Sequence, residues 1–388
     1  MQIIYLVIDG SSVGVTKKLA DKIKFIKAEG IDIELACTVS GPLVRKSDGY
    51  INIPVDNRIS VFLGGKRIWW RLSVFVQQWE IYRAINRFLK KRKFEIILFR
   101  YPVADFFLWR LSITYRNKIV YEHNTIEIEE IGLRKTDSLW FKYFYYSEMW
   151  FGSSVRRLAK GLVGVTHEIT RWQANKIKGT TRTVTISNGI DVNRLRVRAN
   201  NPFDGSSLNL LFLAGSESPW HGIDKLINSV NRYTGDCDVH CYVAGNIDTK
   251  SKSKIQANQR FTLLPNQEGK ELDDLFDKCH IGIGSLGMAN FLKEACPLKT
   301  REYWSRGLPF VVGYLDVDLV GNDDMKSFYL RLNIENDNHF KIEDVIVFAN
   351  KIYGVTSFSV NMRNLAMKSI HYQVKAKKYA SFFNSLME

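Results

Sequence analysis

The chain is 388 residues long, 45% hydrophobic and 24% charged. That length suits two domains, and that mix excludes a disordered or low-complexity chain. The net charge of +15 sits in the first half: residues 1–200 hold 34 Lys+Arg against 18 Asp+Glu, and residues 201–388 hold 21 against 22.

MQIIYLVIDG opens apolar, lacks a basic start and meets Asp9 at once, so it reads as a buried strand and not as a secretory leader. DGSSVGV follows as a glycine- and serine-rich loop. It lacks the spacing of a dinucleotide-binding loop. TKKLADKIKFIKAEG has helical periodicity and ends at Gly30, and IDIELACTV is the next strand. A strand–loop–helix–strand unit of this kind predicts a doubly wound parallel sheet.

Residues 66–94, KRIWWRLSVFVQQWEIYRAINRFLKKRKF, carry nine Lys/Arg against the single acid Glu80. Trp69, Trp70, Phe75 and Trp79 are interleaved with them. Cations with aromatics suit an anionic membrane surface, and solvated cations over a packed aromatic core are the alternative. No recognised nucleic-acid motif accompanies the patch, so no nucleic-acid partner is expected. No apolar run reaches the roughly 18 residues that a spanning helix needs. DSLWFKYFYYSEMWFGSSVRRLAK is a second aromatic-rich segment.

Strands are predicted at FEIILFR, KIVYEHN, KGLVGVT and RTVTISNGID. Glu127, Glu129 and Glu130 read as a solvated face. The polar stretch 196–209, RVRANNPFDGSSLN, marks a boundary. A second series follows: strand LNLLFLAG, loop SESPWHG, helix IDKLINSVNRYTG, strand CDVHCYVAG, helix KELDDLFDKC, strand HIGIGSL and strand LPFVVG. The expected organisation is α/β: residues 1–200 as a first Rossmann-like domain, 201–365 as a second, and 366–388 as a C-terminal helix crossing back to the first. Five scattered cysteines show no metal-ligand pattern and read as reduced core thiols.

KEACPLKTREYWSRGLPFV, from Lys293, carries the most chemistry. Pro297 suits the start of a helix and Gly307 the residue past its end, which predicts a helix over 297–306. A helix N-terminus offers unpaired N–H groups and a positive dipole end to phosphate. Lys299 in that first turn opposes the usual dipole preference, which an anion held there would explain. Glu294 precedes the helix and Glu302 lies within it, so two carboxylates flank a possible diphosphate site as hydroxyl acceptors. Such an arrangement suits a nucleotide sugar. The plain alternative is an exposed Lys299–Glu302 pair with Glu294 in solvent.

The stretch resembles the E-x7-E signature of retaining family-4 glycosyltransferases with the GT-B fold, in the variant P-L-K-x-x-E-Y followed by G-x-P. GLVGVTHEIT, TISNGIDVNRL, FLAGSESPWHGIDKLI and KIVYEHN resemble further segments of that family, in order, across residues 1–380. The resemblance implies two Rossmann-like domains facing each other across a cleft. It also implies transfer of a sugar from a nucleotide diphosphate to a hydroxyl, with retention and without a metal. Glu294 would contact the donor sugar and His123 would reach it from the first domain. Glu302 would hold the ribose hydroxyls and Lys299 the leaving diphosphate, with Arg301 as a possible helper. Gly14 would let the backbone approach the phosphates. Gly215, His221 and Leu298 complete the donor-binding set. The family's loop cations are replaced here by Ser216 and His221.

The resemblance and the charge together imply bacterial surface-polysaccharide assembly on a lipid-linked acceptor. They place the enzyme in the cytoplasm, peripheral at the inner face of the membrane. Asp316 and Asp318 mimic a metal-binding D-x-D, but no metal is expected there. Two other readings stay open: an inactive membrane- or nucleic-acid-docking protein on the same fold, and a nucleotide-sugar epimerase.

Overall fold

The apolar runs of the first 186 residues become the strands of one sheet. A computed structural model describes residues 1–8, 13–40, 49–64, 70–177, 181–215, 221–287, 292–334 and 337–388. The first strands are β1 (Gln2–Val7), β2 (Asp32–Ser40), β3 (Ile51–Val55), β4 (Ile96–Arg100), β5 (Ile119–His123), β6 (Gly161–Gly164) and β7 (Arg182–Thr185). They lie in the order β3-β2-β1-β4-β5-β6-β7, and every pairing is parallel. The strand at β3 had no counterpart in the sequence reading, because Pro54 interrupts it. An edge strand tolerates a residue with no N–H to donate.

Helices α1 (Val13–Ala28), α2 (Arg58–Gly64), α3 (Trp70–Lys90), α4 (Phe106–Thr114), α5 (Glu127–Leu133), α6 (Leu139–Arg157) and α7 (His167–Ile177) cover this sheet. Alternation along the strands feeds two cores. Ile4, Leu6, Ile97 and Phe99 join residues of α3, α4 and α6 in one. Ile3, Tyr5, Val7 and Leu98 join α1 in the other, together with Tyr379, Phe382 and Phe383 from the end of the chain. Lys22 reaches the Tyr379 hydroxyl at 2.7 Å, and both groups bond the buried Glu122 carboxylate. This polar clasp fixes the last helix on the first sheet.

The second sheet contains β8 (Ser207–Ala214), β9 (Asp238–Gly245), β10 (Phe261–Leu264), β11 (Ile281–Ile283), β13 (Phe310–Val312) and β15 (Tyr329–Arg331). Its order is β10-β9-β8-β11-β13-β15, again with parallel pairings. A small pair, β12 (Glu294–Ala295) with β14 (Leu315–Asp316), lies apart from it. The helices are α8 (Ile223–Arg232), α9 (Thr249–Gln256), α10 (Gly269–Lys278), α11 (Leu298–Arg306), α12 (Ile342–Tyr353), α13 (Phe358–Ser369) and α14 (Tyr372–Ser385).

The chain divides at Ile186/Ser187, and Lys375–Glu388 group with the first unit. The sequence placed these points near 200 and 366. Residues 187–206 look like a linker because they lack regular strands. Yet Arg198 Nη2 donates to the Cys279 carbonyl at 3.0 Å and the Ala199 N–H to Asp277 at 2.6 Å, so the segment belongs to the second unit. The C-terminal segment is two helices, α13 and α14. The Ile190–His371 bridge holds their junction on the second unit.

Candidate functional site

In an open parallel sheet, ligands bind at the carboxyl ends of the strands where the strand order reverses. In the second unit that point lies between β8 and β11. Tyr303 anchors α11 there. Its fully buried hydroxyl lies 3.1 Å from the Leu211 carbonyl and 3.2 Å from that of Ile283, and it accepts from the Leu213 N–H at 3.0 Å. Pro297 caps the helix with extended backbone, one residue earlier than its expected place as the first helical residue. Gly307 ends the helix in the left-handed region, at φ 73°. A Cβ at Gly307 would lie 2.4 Å from the Ser359 carbonyl oxygen, so both the conformation and the space require glycine.

Lys299 occupies the first turn of α11 and is 8% exposed. Its Nζ sits 4.0 Å from the centroid of the Phe212 ring of β8 and has no hydrogen-bond partner among the described residues. Burial alone pushes the ammonium down to about 7. His221, on the segment after β8, lies across from it, with Nδ1 3.4 Å from the Ser285 hydroxyl. Burial, then the charge of Lys299, lowers its imidazole to about 4. The Leu286 N–H donates to the His221 carbonyl at 3.1 Å. The next residue, Gly222, has φ 68°, and a Cβ there would come within 2.4 Å of the Gly287 nitrogen. Two strand-end loops therefore press together beside the helix N-terminus. Gly215 follows β8 and is exposed, and Leu298 is 41% exposed. Ser216 lies outside the described residues.

Glu294 is half-buried on β12, paired with Leu315 of β14. Glu302 is half-buried and accepts from Arg306 Nε at 3.2 Å. Burial raises the Glu302 carboxyl, and Arg306 acts against that. The exposed Lys299–Glu302 pair is thus absent: the lysine is buried, and the glutamate is paired one turn onward.

Arg301 is not a phosphate cation. It is fully buried and donates to Asp316 at 2.5 and 2.9 Å, to Asp318 at 2.6 Å and to the Asn188 carbonyl at 3.0 Å. Asp316 and Asp318 are therefore the partners of a buried guanidinium, which explains the D-x-D spacing. Among the described residues, no group of three or more His, Cys, Asp or Glu is placed to hold a metal ion.

The first unit carries His123 at the carboxyl end of β5 and Gly14 in the first turn of α1. The helix begins at Val13, so Gly14 is helical and not in the loop expected from DGSSVGV; residues 9–12 lie outside the described residues. His123 is fully buried against the Tyr101 ring, with centroids 4.2 Å apart. Its Nδ1 lies 2.8 Å from Glu127 Oε1, and its Nε2 is buried without a partner among the described residues. Glu127 also accepts from Gln173 Nε2 at 3.0 Å and lies 3.5 Å from Arg156. Arg156 in turn donates to Glu148 at 2.6 Å and bonds Gln173. Glu127 was expected in a solvated face and is 6% exposed. The available signal was its position four residues after His123, at the start of a helix. A carboxylate beside Nδ1 favours the proton there and leaves the buried Nε2 as the acceptor nitrogen.

Most of the basic aromatic segment 66–94 forms α3. Val74, Gln78, Ile81 and Ile85 of α3 are buried, while Leu72, Phe75 and Trp79 form an exposed stripe, 44%, 44% and 37% accessible. Ile59, Val61 and Phe62 of α2 are exposed as well. Arg83 stacks over Trp79 at 4.9 Å. Trp69 lies outside the described residues. No described helix is long and apolar enough to cross a membrane.

No family model and no curated protein matches the sequence. Solved structures match along its whole length. Sucrose-phosphate synthase from Thermosynechococcus elongatus superposes with a TM-score of 0.72 at 12% identity, covering 100% of this chain and 99% of that one. Anabaena HepE in complex with UDP and glucose gives 0.65 at 14%, covering 99% and 100%. WaaG, a glycosyltransferase involved in lipopolysaccharide biosynthesis, gives 0.61 at 13%, covering 98% and 99%. The fold is accordingly α/β of the GT-B type, with two Rossmann-like parallel-sheet domains.

Proposed function

We propose that the protein is a glycosyltransferase that takes a nucleotide diphosphate sugar as donor. The observation that carries this reading is Lys299. A buried cation with no counterion among the described residues sits in the first turn of a helix, at the strand-order reversal of a Rossmann-like sheet. An unpaired buried charge costs stability, and a diphosphate would supply the missing partner. HepE, a structure of the same fold, was solved with UDP and glucose, which agrees with this choice of donor.

In this reading the bond from the anomeric carbon to the β-phosphate oxygen breaks and its electron pair stays on phosphate. The acceptor oxygen bonds to that carbon, and its hydroxyl proton passes to the departing diphosphate. The N–H groups of the α11 N-terminus and Lys299 meet the charge that grows on the diphosphate. Glu302 holds ribose hydroxyls, Glu294 and His123 address the sugar, and Gly14, Gly215, His221 and Leu298 line the donor path. Transfer with retention, a hexosyl group and independence from metal ions follow from the family resemblance. The engagement of Asp316 and Asp318 by Arg301 supports the last of these.

The acceptor in this reading is lipid-linked, in bacterial surface-polysaccharide synthesis at the inner face of the membrane. The exposed α2–α3 stripe and the +16 excess of residues 1–200 support that docking. Incubation with a panel of nucleotide sugars and lipid-linked acceptors tests the function. Release of nucleoside diphosphate with a glycosylated product is expected, and it should persist in EDTA. Sugar interconversion without transfer would mark an epimerase, and no turnover with any donor would remove the enzyme reading.

A further inference from the structure

The cation at the α11 N-terminus is unusual in what surrounds it. Among the described residues, no carboxylate is placed to hold the Lys299 ammonium. Glu302 on the same helix is turned to Arg306, and Asp316 and Asp318 beyond β13 are held by Arg301. Tyr303 is spent on the ends of β8 and β11, and the Tyr314 hydroxyl lies 2.9 Å from Thr300 Oγ1. Among the described residues, the titratable group that faces Lys299 is His221, whose imidazole the nearby ammonium helps to push down. What lies beneath Nζ is the Phe212 ring. A ring face attracts a cation by about 0.5–2 kcal/mol, well short of the several kcal/mol needed to bury a charge.

We propose that donor binding at this site takes up a proton: Lys299 is partly neutral over Phe212 in the empty site and becomes a full ammonium when a diphosphate arrives. The proposal rests on the donor reading above and adds a coupling to it. The empty-site amine titrates near neutrality because burial lowers it to about 7. The two negative charges of a nucleotide-sugar diphosphate stabilise the protonated form and draw its titration upward. Protons and donor therefore bind with mutual reinforcement. Activity limited by donor capture should fall above neutral pH without any change in the acceptor.

Calorimetric titration of the full chain with UDP-glucose and GDP-mannose tests this. Their diphosphates are diesters and do not titrate in the range used. In buffers of differing ionisation enthalpy, the uptake expected is about half a proton at pH 7, rising to about one at pH 8.5. The dissociation constant should weaken roughly thirtyfold from pH 6 to pH 8.5. Lys299→Arg, whose charge is permanent, should bind with no buffer dependence and little pH dependence. His221→Asn should keep the wild-type proton uptake. Binding whose heat and affinity ignore buffer and pH would overturn the coupling and leave the donor site standing. Absence of binding by either compound at pH 6 would bring down the donor reading and the coupling with it. The wild-type buffer series decides the matter even where the arginine variant fails to fold.

Discussion

Two buried polar clusters, one in each unit, are built on opposite principles. Around His123, every charged side chain has a partner: Glu127, Glu148, Arg156, Gln173 and Tyr101 bond one another. Around Lys299, no carboxylate among the described residues holds the charge, which lies over a phenyl ring. A matched network holds a ring nitrogen in place whether or not a ligand is present. An unmatched cation waits for an anion. The difference separates residues that position from residues that bind, and it predicts opposite signs on mutation.

The largest effect should come from the matched cluster. Glu148→Ala removes the closest carboxylate of a guanidinium that is 2% exposed, and should cost about 3–5 kcal/mol in denaturant unfolding. A loss under about 1 kcal/mol would mean that the network is not the scaffold described.

The unmatched site should respond the other way. Lys299→Met removes a buried charge and should raise stability by about 1–4 kcal/mol at pH 7. The sign of its pH dependence is fixed. The unfolded lysine keeps its proton up to its ordinary 10.5, while the folded one loses it above about 7. The wild type therefore gains stability with rising pH, and the gap to Lys299→Met should narrow by about 2 kcal/mol between pH 7 and pH 9. Unfolding curves at those two pH values check this, and a gap that widens would refute it.

Within the donor site, Glu302→Ala should weaken nucleotide-sugar binding, and Glu294→Ala should lower kcat more than it raises KM. Each loses a hydrogen bond to a charged group, about 1.5–3 kcal/mol. Wild-type kinetics in both variants would cancel the two assignments.

The smallest effects per residue belong to a third kind of charge, the exposed cations of the first unit. Reversing Lys90, Lys91, Arg92 and Lys93 to glutamate should release the protein from anionic vesicles, at about 1 kcal/mol for each charge near the surface. Arg92 is also 2.7 Å from Glu34, so its share should be the least. Equal sedimentation of wild type and variant would make this a solvated face. Tight binding to DNA or RNA would redirect it to a nucleic-acid partner.

The sheets were legible because their strands are buried on both faces and read as continuous apolar runs. The helix at 298–306 was legible because Pro297 and Gly307 bracket it. What the sequence hid is depth. KTRE shows two cations separated by one residue. Only the fold decides that Arg301 is locked between two aspartates while Lys299 is left alone. EIEE looks solvated until Arg156 and Gln173, distant in the chain, close over Glu127. The edge strand with Pro54 and the true end of the first unit were hidden for a related reason: pairing and side-chain contacts define them, and periodicity does not. The extent of the exposed stripe on α3 was also out of reach, since 72, 75 and 79 differ from 74, 78 and 81 only in which way the helix is turned.

The central claim is that the α11 N-terminus and Lys299 form a nucleotide-sugar site. Thermal unfolding of wild type and Lys299→Ala at pH 6.5, each titrated with a panel of nucleotide sugars, tests it most directly. A donor at about a hundred times its dissociation constant should stabilise the wild type by about 2.7 kcal/mol and raise its Tm by a few degrees. The same donor at the same concentration should shift Lys299→Ala far less. A panel that shifts neither protein, or one that shifts both equally, would contradict the account.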